Sequence, residues 1–599
     1  MIRRHLIDVV AVSVAIGISQ SARADDEWKQ ILQQSLGAEH SQTRQDGLKQ
    51  VDTKSAEGLR ALWQALSIRD ANKVDWYVRE GAHEALLAAT GEEAEKEIDR
   101  LLKDSDPKYD LAREAVLYSI QWKIRSEVVK LHGGNDDRKI NEAKYLLRKA
   151  RGVDYFDLVL PAVKALDPEK KQLKRLQLAL ADKSTRVRRA AITGLTLYPD
   201  GTTIPLLIDN LRTLEKKKLK QKLYREWVLT RYALETLTGQ YFRDQVEDWA
   251  KWWDIAKSKF SIEKRVEEEK GKTDDGSGKT VVVKKEGVQV EVHMKIAGPP
   301  DGYPLLVIPW EGYEVDYFRP YFYGVEDLLR VYYVRMPQIE DYKGLSRDTK
   351  SNLVKYPTKI LAAGLIDIAK DSGLEKFGVL AHGPESGILA MTLAAENPGK
   401  VSHLVLINPR SSGDAYTNAI ENVRRDGLVS GNKERVKGAD SITLQADGVN
   451  TKYKASDEAE GSGLSRALNN LHFADPTEPE TGNIRYFYSL PGGVGTLADD
   501  DWSVRKMFAG KALPQVLIFM GLKDAWTPLS DMKAVAGVFP RAVVAEMKES
   551  SELPFISEAA VFTQYMQSLF KNAKPANKEG ENTKPKRKEA AKGSTKAGK

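Results

Sequence analysis

The stretch G-V-L-A-H-G-P-E-S-G-I-L-A at residues 378–390 decides the fold of the C-terminal half of this 599-residue chain. An apolar run ends near Ala381, and a run of small and apolar residues begins after Pro384, which predicts a buried strand turning sharply into a helix. Proline suits the first turn of a helix because the N–H that it lacks would have no partner there. Gly383 lies at the turn between the two runs.

Short apolar runs on both sides of this turn alternate with helical patterns. They are L305-L-V-I, V331-Y-Y-V, F377-G-V-L-A, L404-V-L-I and V516-L-I-F-M. An alternating stretch before them, T280-V-V-V-K-K-E-G-V-Q-V-E-V-H-M-K-I, is typical of a β-hairpin. Buried strands separated by helices form a doubly wound, mostly parallel sheet with helices on both faces.

The region from about residue 40 to 260 has a helical pattern with a loose repeat. The segments V78-R-E-G-A-H-E-A-L-L, L111-A-R-E-A-V-L-Y-S-I and V187-R-R-A-A-I-T-G-L share small and apolar residues at helical spacing. They resemble HEAT repeats, which implies an all-α solenoid over residues 25–260 with a long surface free for binding. An irregular helical bundle with accidental periodicity is the alternative.

Residues 1–24 have the pattern of a secretory signal. Arginines precede an apolar run from Val9 to Ile18, and Ala22-Arg23-Ala24 provides a small-residue cleavage site. We therefore expect cleavage after Ala24 and export to the periplasm or the extracellular space. An apolar run of this length is too short to span a bilayer, so we expect no transmembrane helix after cleavage.

The net charge of +7 is located mainly at the C-terminal end of the chain. Residues 571–599 contain ten Lys or Arg residues and three Glu residues, whereas the body from 25 to 570 is close to neutral. This distribution argues against a sequence-specific nucleic-acid-binding protein. The tail is poor in apolar residues and is expected to be disordered, with an anionic cell-envelope polymer as its candidate contact.

Two further features limit the chemistry and the domain scheme. The chain has no cysteine, which excludes disulfides and thiolate metal sites. Residues 261–279 lack apolar periodicity and predict a solvated linker. The resulting scheme places a charged linker and the start of the hairpin at 261–284 and an α/β domain at 285–570.

Several motifs of residues 285–570 resemble the α/β-hydrolase fold family. In chain order they are A297-G-P-P-D-G-Y-P, A381-H-G-P-E-S-G, E396-N-P-G-K-V-S-H-L-V-L-I-N-P, P514-Q-V-L-I-F-M-G-L-K-D-A-W-T-P and E549-S-S-E-L-P-F-I-S-E. The resemblance implies a cap insertion at about residues 409–510. It also implies a catalytic triad in the chain order Ser, Asp or Glu, His, with an oxyanion-hole N–H directly after the nucleophile.

The triad positions implied by the resemblance are Gly383, Asp524 and Glu552. Only the acid is retained, and an aspartate in that loop can equally bind backbone N–H groups. Glutamate titrates near pH 4.3, too low for a general base that must act near neutrality. Pro384 lacks the N–H that would follow the nucleophile. We therefore expect no ordinary serine-hydrolase turnover.

Three other residues keep an active enzyme open as an alternative. Glu385 lies at the centre of G383-P-E-S-G387 and would be a carboxylate nucleophile, and Ser386 would be a hydroxyl nucleophile. His472, within the predicted cap, would be the missing base. The competing interpretations are a helix-end serine and an ordinary surface histidine.

The candidate ligand-binding residues are Trp310, Glu311, His382 and Glu385. Trp310 follows the strand L305-L-V-I, where its indole would either fill the acyl-binding space or stack on a ligand. The carboxylates Glu385, Asp524 and Glu552 would repel one another unless they were protonated, paired or bridged by Ca²⁺. Because such clusters are usually solvated, we predict neither a metal site nor a cofactor.

The sequence as a whole favours an exported protein in which a HEAT-like solenoid precedes an α/β-hydrolase-like domain without a working triad. The predicted function is non-catalytic binding or scaffolding, with a protein or a small ligand as the partner. The alternative is an active hydrolase of ester, amide or peptide bonds that uses an unconventional nucleophile or base.

Overall fold

The structure, a computed structural model, describes the chain in separate ranges. They are residues 46–68, 76–150, 152–215, 221–242, 245–269, 278–285, 288–310, 317–335, 342–343, 358–412, 419–430, 502–524 and 527–573, with single positions 30, 36 and 436. The signal segment, most of the predicted cap and the tail beyond residue 573 lie outside these ranges. The predictions of export, of a cap and of a disordered tail therefore remain predictions.

The N-terminal half is all-α in its described residues, as the sequence predicts. Its helices are α1 (Ala56–Leu66), α2 (Trp76–Leu87), α3 (Glu92–Lys103), α4 (Asp110–Gly133), α5 (Asp137–Lys149), α6 (Gly152–Leu166), α7 (Lys171–Ala179), α8 (Thr185–Leu197), α9 (Ile204–Glu215), α10 (Gln221–Thr238), α11 (Val246–Ala256) and α12 (Ile262–Glu269). We call α1–α12 the helical array. The helical class is confirmed, and the HEAT-like repeat remains a prediction.

Small residues of the predicted repeat motif allow helices to approach closely. In α8 the apolar residues Val187, Ala190 and Leu195 are fully buried. A Cβ atom on Gly194 would lie 2.4 Å from a methyl carbon of Leu176 in α7, so a side chain there would require Leu176 to move. Helix packing therefore explains the small residues of this segment.

The prediction of a solvated linker from residue 261 is wrong for its first part. Residues Ile262–Glu269 form helix α12, which packs against α6. Ile262 and Val266 are buried and lie four residues apart, so they share one helix face. The many charged residues around them concealed this short apolar stripe, because only two positions carry it.

The C-terminal half is built on one sheet. Its strands are β1 (Gly278–Lys285), β2 (Val288–Ala297), β3 (Tyr303–Ile308), β4 (Leu329–Arg335), β5 (Tyr342–Lys343), β6 (Phe377–His382), β7 (Val401–Ile407), β8 (Gln515–Gly521) and β9 (Val543–Met547). The strand order is β1-β2-β4-β3-β6-β7-β8-β9, and β5 pairs with β2. The hairpin β1–β2 and the pair β2–β4 are antiparallel, whereas the pairs from β4 to β9 are parallel.

Helices follow the strands and cover both faces of the sheet. They are α13 (Tyr323–Glu326), α14 (Thr358–Asp371), α15 (Pro384–Glu396), α16 (Ala419–Ser430), α17 (Val504–Phe508), α18 (Leu529–Ala536), α19 (Pro554–Ser557) and α20 (Ala559–Phe570). Leu305 and Val307 of β3 face one apolar core, and Leu306 and Ile308 face the other. The predicted doubly wound, mostly parallel sheet is confirmed. Within the described ranges, no helix combines the length and apolar character needed to cross a membrane.

The helical array and the sheet share one core. Helix α10 packs against α20 and against the short turn Arg319–Tyr321. The guanidinium of Arg231 donates to both carboxylate oxygens of Asp327, at 2.9 and 2.8 Å. It also lies over the rings of Trp227 and Tyr323, 4.7 Å from each centroid. The two halves therefore meet in a packed interface.

A buried charge cluster lies beside this contact. Glu235 of α10 accepts hydrogen bonds from Arg319 and from the Tyr323 hydroxyl. Glu326 is fully buried, accepts a 2.5 Å hydrogen bond from Tyr333 and lies 3.8 Å from Arg319 Nε. Burial raises the pKa of Glu326 to about 7, although the charge of Arg319 opposes the rise.

The charges of this cluster balance only when one carboxyl group is protonated. Its arginines are Arg231 and Arg319, and its carboxyl groups belong to Glu235, Glu326 and Asp327. Burying an uncompensated charge is costly, so the fully buried carboxyl group is the one that keeps its proton.

We expect this proton to make the stability of the folded protein depend on pH. Because the folded-state pKa of Glu326 exceeds its ordinary value, the folded protein keeps a proton that the unfolded chain has lost. The free energy of unfolding should then fall by up to about 1.4 kcal/mol per pH unit as the pH rises from about 4.5 to 7. Urea denaturation of the wild type and of Glu326→Gln at pH 5, 6, 7 and 8 measures this fall.

Glutamine keeps an acceptor for Tyr333 but cannot titrate, so Glu326→Gln should remove the extra slope. Other groups titrate equally in both proteins, which makes the difference between the two curves the informative quantity. Parallel curves would show that the proton on Glu326 does not affect stability.

Candidate functional site

The strand-turn-helix predicted at residues 378–390 is present. Strand β6 ends at His382 and helix α15 begins at Pro384, with Gly383 as the N-cap residue. Gly383 has φ 87° and ψ 170°, a conformation that L-residues rarely adopt. Its N–H donates to the carbonyl of Ile407, and its carbonyl accepts from Gly387 N. The N–H and the carbonyl of Gly383 are therefore both hydrogen-bonded, which holds the turn in this conformation.

The indole of Trp310 fills the space above this turn. A Cβ atom on Gly383 would lie 2.7 Å from Cδ1 and from Cγ of Trp310, inside any contact distance that carbon atoms adopt. Trp310 is itself 3% exposed, and its backbone N–H donates to the Tyr317 hydroxyl at 3.0 Å. A nucleophile side chain at this position would collide with the indole.

His382, next to the turn, lies in an aromatic cage and is fully buried. The rings of Trp310, Tyr317, Phe318 and Phe555 have centroids between 5.3 and 5.6 Å from its imidazole. Burial lowers the pKa of His382 to about 3, despite its hydrogen bond to the backbone of residue 552. The imidazole is therefore neutral at physiological pH.

The two nitrogens of His382 have different partners, which determines its tautomer. Nε2 lies 2.7 Å from the backbone carbonyl of Glu552, which can only accept, so Nε2 carries the proton. Nδ1 lies 2.5 Å from the Tyr317 hydroxyl and accepts from it. Both ring nitrogens are thus committed, and neither is free to take a proton from a nucleophile.

Asp524, at the position of the triad acid, is hydrogen-bonded both within its own loop and to the loop after β7. Its carboxylate accepts from Asn408 Nδ2 at 2.7 Å and from the backbone N–H of Thr527 at 3.1 Å. Asn408 has φ 49° and also joins the carbonyl of Ser551 to the N–H of Gly521. These contacts are those of a loop-organising aspartate, which was one of its two sequence interpretations.

The candidate nucleophiles of α15 are both buried. Ser386 is fully buried and donates a 2.5 Å hydrogen bond to the carbonyl of Pro309. Glu385 is also fully buried, and its Oε1 lies 3.7 Å from Nη1 of Arg410. Neither of its oxygens accepts a hydrogen bond from the described part of the chain. Glu385 is therefore held by charge rather than by directed hydrogen bonds.

The carboxylate candidates have different environments. Glu385 is paired with Arg410, Asp524 with Asn408, and residue 552 meets His382 through its backbone while its side chain is buried. Among the residues that the structure describes, no group of three or more His, Asp or Glu side chains could hold a metal ion. Glu311 and His472 lie outside the described residues, so their roles remain predictions.

Two residues of this site were missed by the sequence analysis. Tyr317 fixes the imidazole of His382, and Asn408 ties the loop of Asp524 to the adjoining strands. The dipeptide Asn408-Pro409 after a buried strand was a signal for the second, since asparagine tolerates the left-handed conformation there. Tyr317 lies in an aromatic-rich segment with no pattern that points to one ring.

Comparisons with known proteins give distant structural relatives. No protein family model matches the chain. It is similar to an α/β fold family hydrolase from Bacillus anthracis str. Sterne, with 18% identity and a TM-score of 0.37. It is also similar to a thermophilic esterase from Thermogutta terrifontis, with 15% identity and a TM-score of 0.34, and to a hydrolase from Pseudomonas aeruginosa PA01, with 13% and 0.36.

Each of these matches covers 49% of this chain and 98–99% of the other protein. At such low identities the likeness concerns the fold and does not transfer an activity. The α/β-hydrolase-like fold of the C-terminal half is carried by its own strand order and by the turn at Gly383.

Proposed function

We propose that the C-terminal domain is a non-catalytic member of the α/β-hydrolase fold and that this exported protein acts by binding or scaffolding. One observation carries the proposal: the Trp310 indole lies where the side chain of a nucleophile would stand on Gly383. A missing hydroxyl alone leaves an empty cleft, whereas here the space is filled by a buried ring. Restoring a serine would therefore not restore a site.

The state of His382, the histidine beside the turn, supports the same conclusion. General base catalysis needs a group that titrates near the working pH and can reach the nucleophile. His382 is neutral, is buried by aromatic rings and uses both nitrogens in hydrogen bonds. It stabilises the turn by joining Tyr317 to the chain at residue 552.

The alternative nucleophiles have contacts that keep them from a substrate. Ser386 is fully buried and donates its proton to a backbone carbonyl. A Glu385 nucleophile would have to leave Arg410, which is 3% exposed, and breaking a buried ion pair costs about 3–5 kcal/mol. An active hydrolase would thus require a rearrangement of this turn.

The binding role is assigned to the helical array together with the domain that it contacts. Residues 1–24 have the pattern of a secretory signal, which supports a location in the periplasm or outside the cell. The array and the sheet share one core, so a partner held by the array is fixed relative to the α/β domain. We propose a protein or a small ligand as the partner, with the basic tail contacting an anionic envelope polymer.

The proposal is tested with a serine-directed fluorophosphonate probe and a panel of activated esters. We expect no covalent labelling, no burst and no turnover above the rate of the ester in buffer, because the described residues of the turn include no exposed hydroxyl and His382 has both ring nitrogens in hydrogen bonds. An active serine esterase assayed in parallel controls for the quality of the probe. Intact-mass spectrometry measures the labelling directly.

Two variants identify the rival function. Loss of an observed turnover in Glu385→Gln would show a carboxylate nucleophile, and labelling lost in Ser386→Ala would show a serine nucleophile. Either result would replace the binding protein by an unconventional hydrolase of esters, amides or peptides.

A further inference from the structure

A concave surface lies at the end of the sheet opposite to Gly383. Strands β3, β7, β8 and β9 begin there, and α20 ends beside them, forming a cavity of about 770 Å³. We call this cavity the basal groove. Gly383 follows the carboxyl end of β6, whereas the basal groove lies at the amino ends of the strands. Its volume is within the range of small-molecule sites, roughly 300–1,000 Å³.

One wall of the basal groove is a network of polar side chains. The hydroxyls of Tyr303 and Ser402 are hydrogen-bonded to each other. Ser402 Oγ also lies 3.1 Å from the carbonyl of Phe377 and 2.9 Å from Nδ1 of His403. Because these groups hold one another in place, the wall is preorganised for polar contacts.

The charge of the basal groove is positive. Lys376 lines it, and among the described residues that line it none is Asp or Glu. Burial and the nearby charge of Lys376 lower the pKa of His403 to about 4, so this ring adds no charge at neutral pH. The lining therefore attracts an anion and offers no counter-charge to a cation.

Most charged residues that adjoin lining positions along the chain are basic. Lys400, Lys511 and Lys571 directly precede or follow lining positions, against a single acidic neighbour, Glu375. Lysine stems are long enough for their ammonium groups to act over several ångströms at physiological salt.

A second part of the lining, here called the apolar wall, consists of partly exposed aliphatic side chains. Leu513 is 44% exposed and Val543 is 47% exposed, and Leu569 lines the groove beside them. Exposed aliphatic side chains gathered at a concave surface are typical of a ligand-binding groove. A ligand that covered them would gain about 25 cal/mol for each Å² of apolar surface removed from water.

We propose that the basal groove binds an anionic amphiphile, an aliphatic chain that ends in a carboxylate. The carboxylate pairs with Lys376, and the chain lies along Leu513 and Val543. A neutral polyol would leave the aliphatic wall exposed, and a cation would meet Lys376 without a carboxylate to balance it. The charge and the apolar wall together select this class.

The probe is octanoate, titrated into the purified protein by isothermal calorimetry and by NMR saturation transfer. Acetate has the charge without the chain, 1-octanol has the chain without the charge, and inorganic phosphate tests for a simple anion site. We expect saturable binding of octanoate, with acetate, octanol and phosphate each at least about tenfold weaker. Equal binding of octanol would overturn the proposal, as would equal binding of phosphate.

Amino-acid substitutions test whether octanoate binds in the basal groove. Lys376→Gln should weaken octanoate binding about tenfold through the lost charge-assisted contact, and Lys376→Arg should retain it. Val543→Asp should weaken it further, because a carboxylate would stand on the exposed apolar wall. Lys370→Gln, at an exposed lysine of α14 outside the lining, is the matched control and should bind like the wild type.

The octanoate experiment tests the basal groove separately from the turn at Gly383, which the ester assay tests. Octanoate binding that is unchanged in Lys376→Gln and Val543→Asp would show that the basal groove is not the site, whatever the esterase assay gives. Circular dichroism of each variant confirms that a loss of binding is not a loss of fold.

Discussion

Replacing Gly383 by serine should lower the free energy of unfolding by about 2–6 kcal/mol and should yield no hydrolase activity. Strain at a positive φ costs about 1–3 kcal/mol, and overpacking of a buried site costs about the same again. Both terms apply, since Gly383 has φ 87° and its Cβ would lie 2.7 Å from Trp310. Urea denaturation measures the stability, and the fluorophosphonate probe measures any gain of reactivity.

A serine substitution at a second glycine separates the cost of backbone strain from the cost of overpacking. Gly91 is also the N-cap residue of a helix, has φ 100° and ψ 163°, and has no heavy atom within 4 Å of its Cβ position. Gly91→Ser therefore reports the backbone strain alone and should cost about 1–3 kcal/mol. The additional loss of stability in Gly383→Ser, relative to Gly91→Ser, measures the collision with the indole.

A double-mutant cycle also measures the collision, as the coupling free energy between Trp310→Ala and Gly383→Ser. Trp310→Ala alone should cost about 3–5 kcal/mol through the cavity that it leaves. In the Gly383→Ser background the same change should cost about 1–3 kcal/mol less, because it also removes the collision. Additive effects would mean that the indole does not fill the space above the turn.

Arg231→Met should lower the stability by about 3–5 kcal/mol and should uncouple the helical array from the sheet. The arginine side chain is 1% exposed, pairs with Asp327 and lies over two aromatic rings. Methionine keeps much of the apolar volume but leaves the carboxylate of Asp327 in the interface without its cation. Denaturation followed by far-UV circular dichroism and by tryptophan fluorescence should then give two separate transitions.

An exposed arginine of the same array provides the matched control. Arg212 is 42% exposed and pairs with Asp209 and Glu247 on the surface. Arg212→Met should cost at most about 1 kcal/mol, because exposed ion pairs contribute little. Adding Asp327→Leu to Arg231→Met should recover part of the stability, since no uncompensated charge remains. A small effect of Arg231→Met, equal to that of the control, would mean that the interface does not depend on this pair.

The sequence was sufficient for the parts of this protein that depend on local patterns. Strand β6, the turn and helix α15 follow from an apolar run, a glycine and a proline within a few residues. The short helix α12 was missed, because two apolar residues among many charges resemble a solvated segment. Apolar periodicity does not identify a helix when so few of its positions are apolar.

The candidate site was only partly accessible to the same reasoning. The absence of a hydroxyl at Gly383 is a fact of the sequence, and so is the absence of a histidine after His472. The sequence left open whether the indole of Trp310 fills the space or stacks on a ligand. The structure places it against Gly383.

The sequence by itself therefore determined the types and order of most elements, and the residues missing at the turn. Tertiary structure alone decided the contacts between distant segments: His382 with residue 552, 170 positions away, and Arg231 with Asp327, 96 positions away. The physical reason is that hydrophobic periodicity and turn chemistry act over a few residues. Burial makes the imidazole of His382 neutral, and Asp327 keeps the buried Arg231 charged; both depend on which parts of the chain pack together.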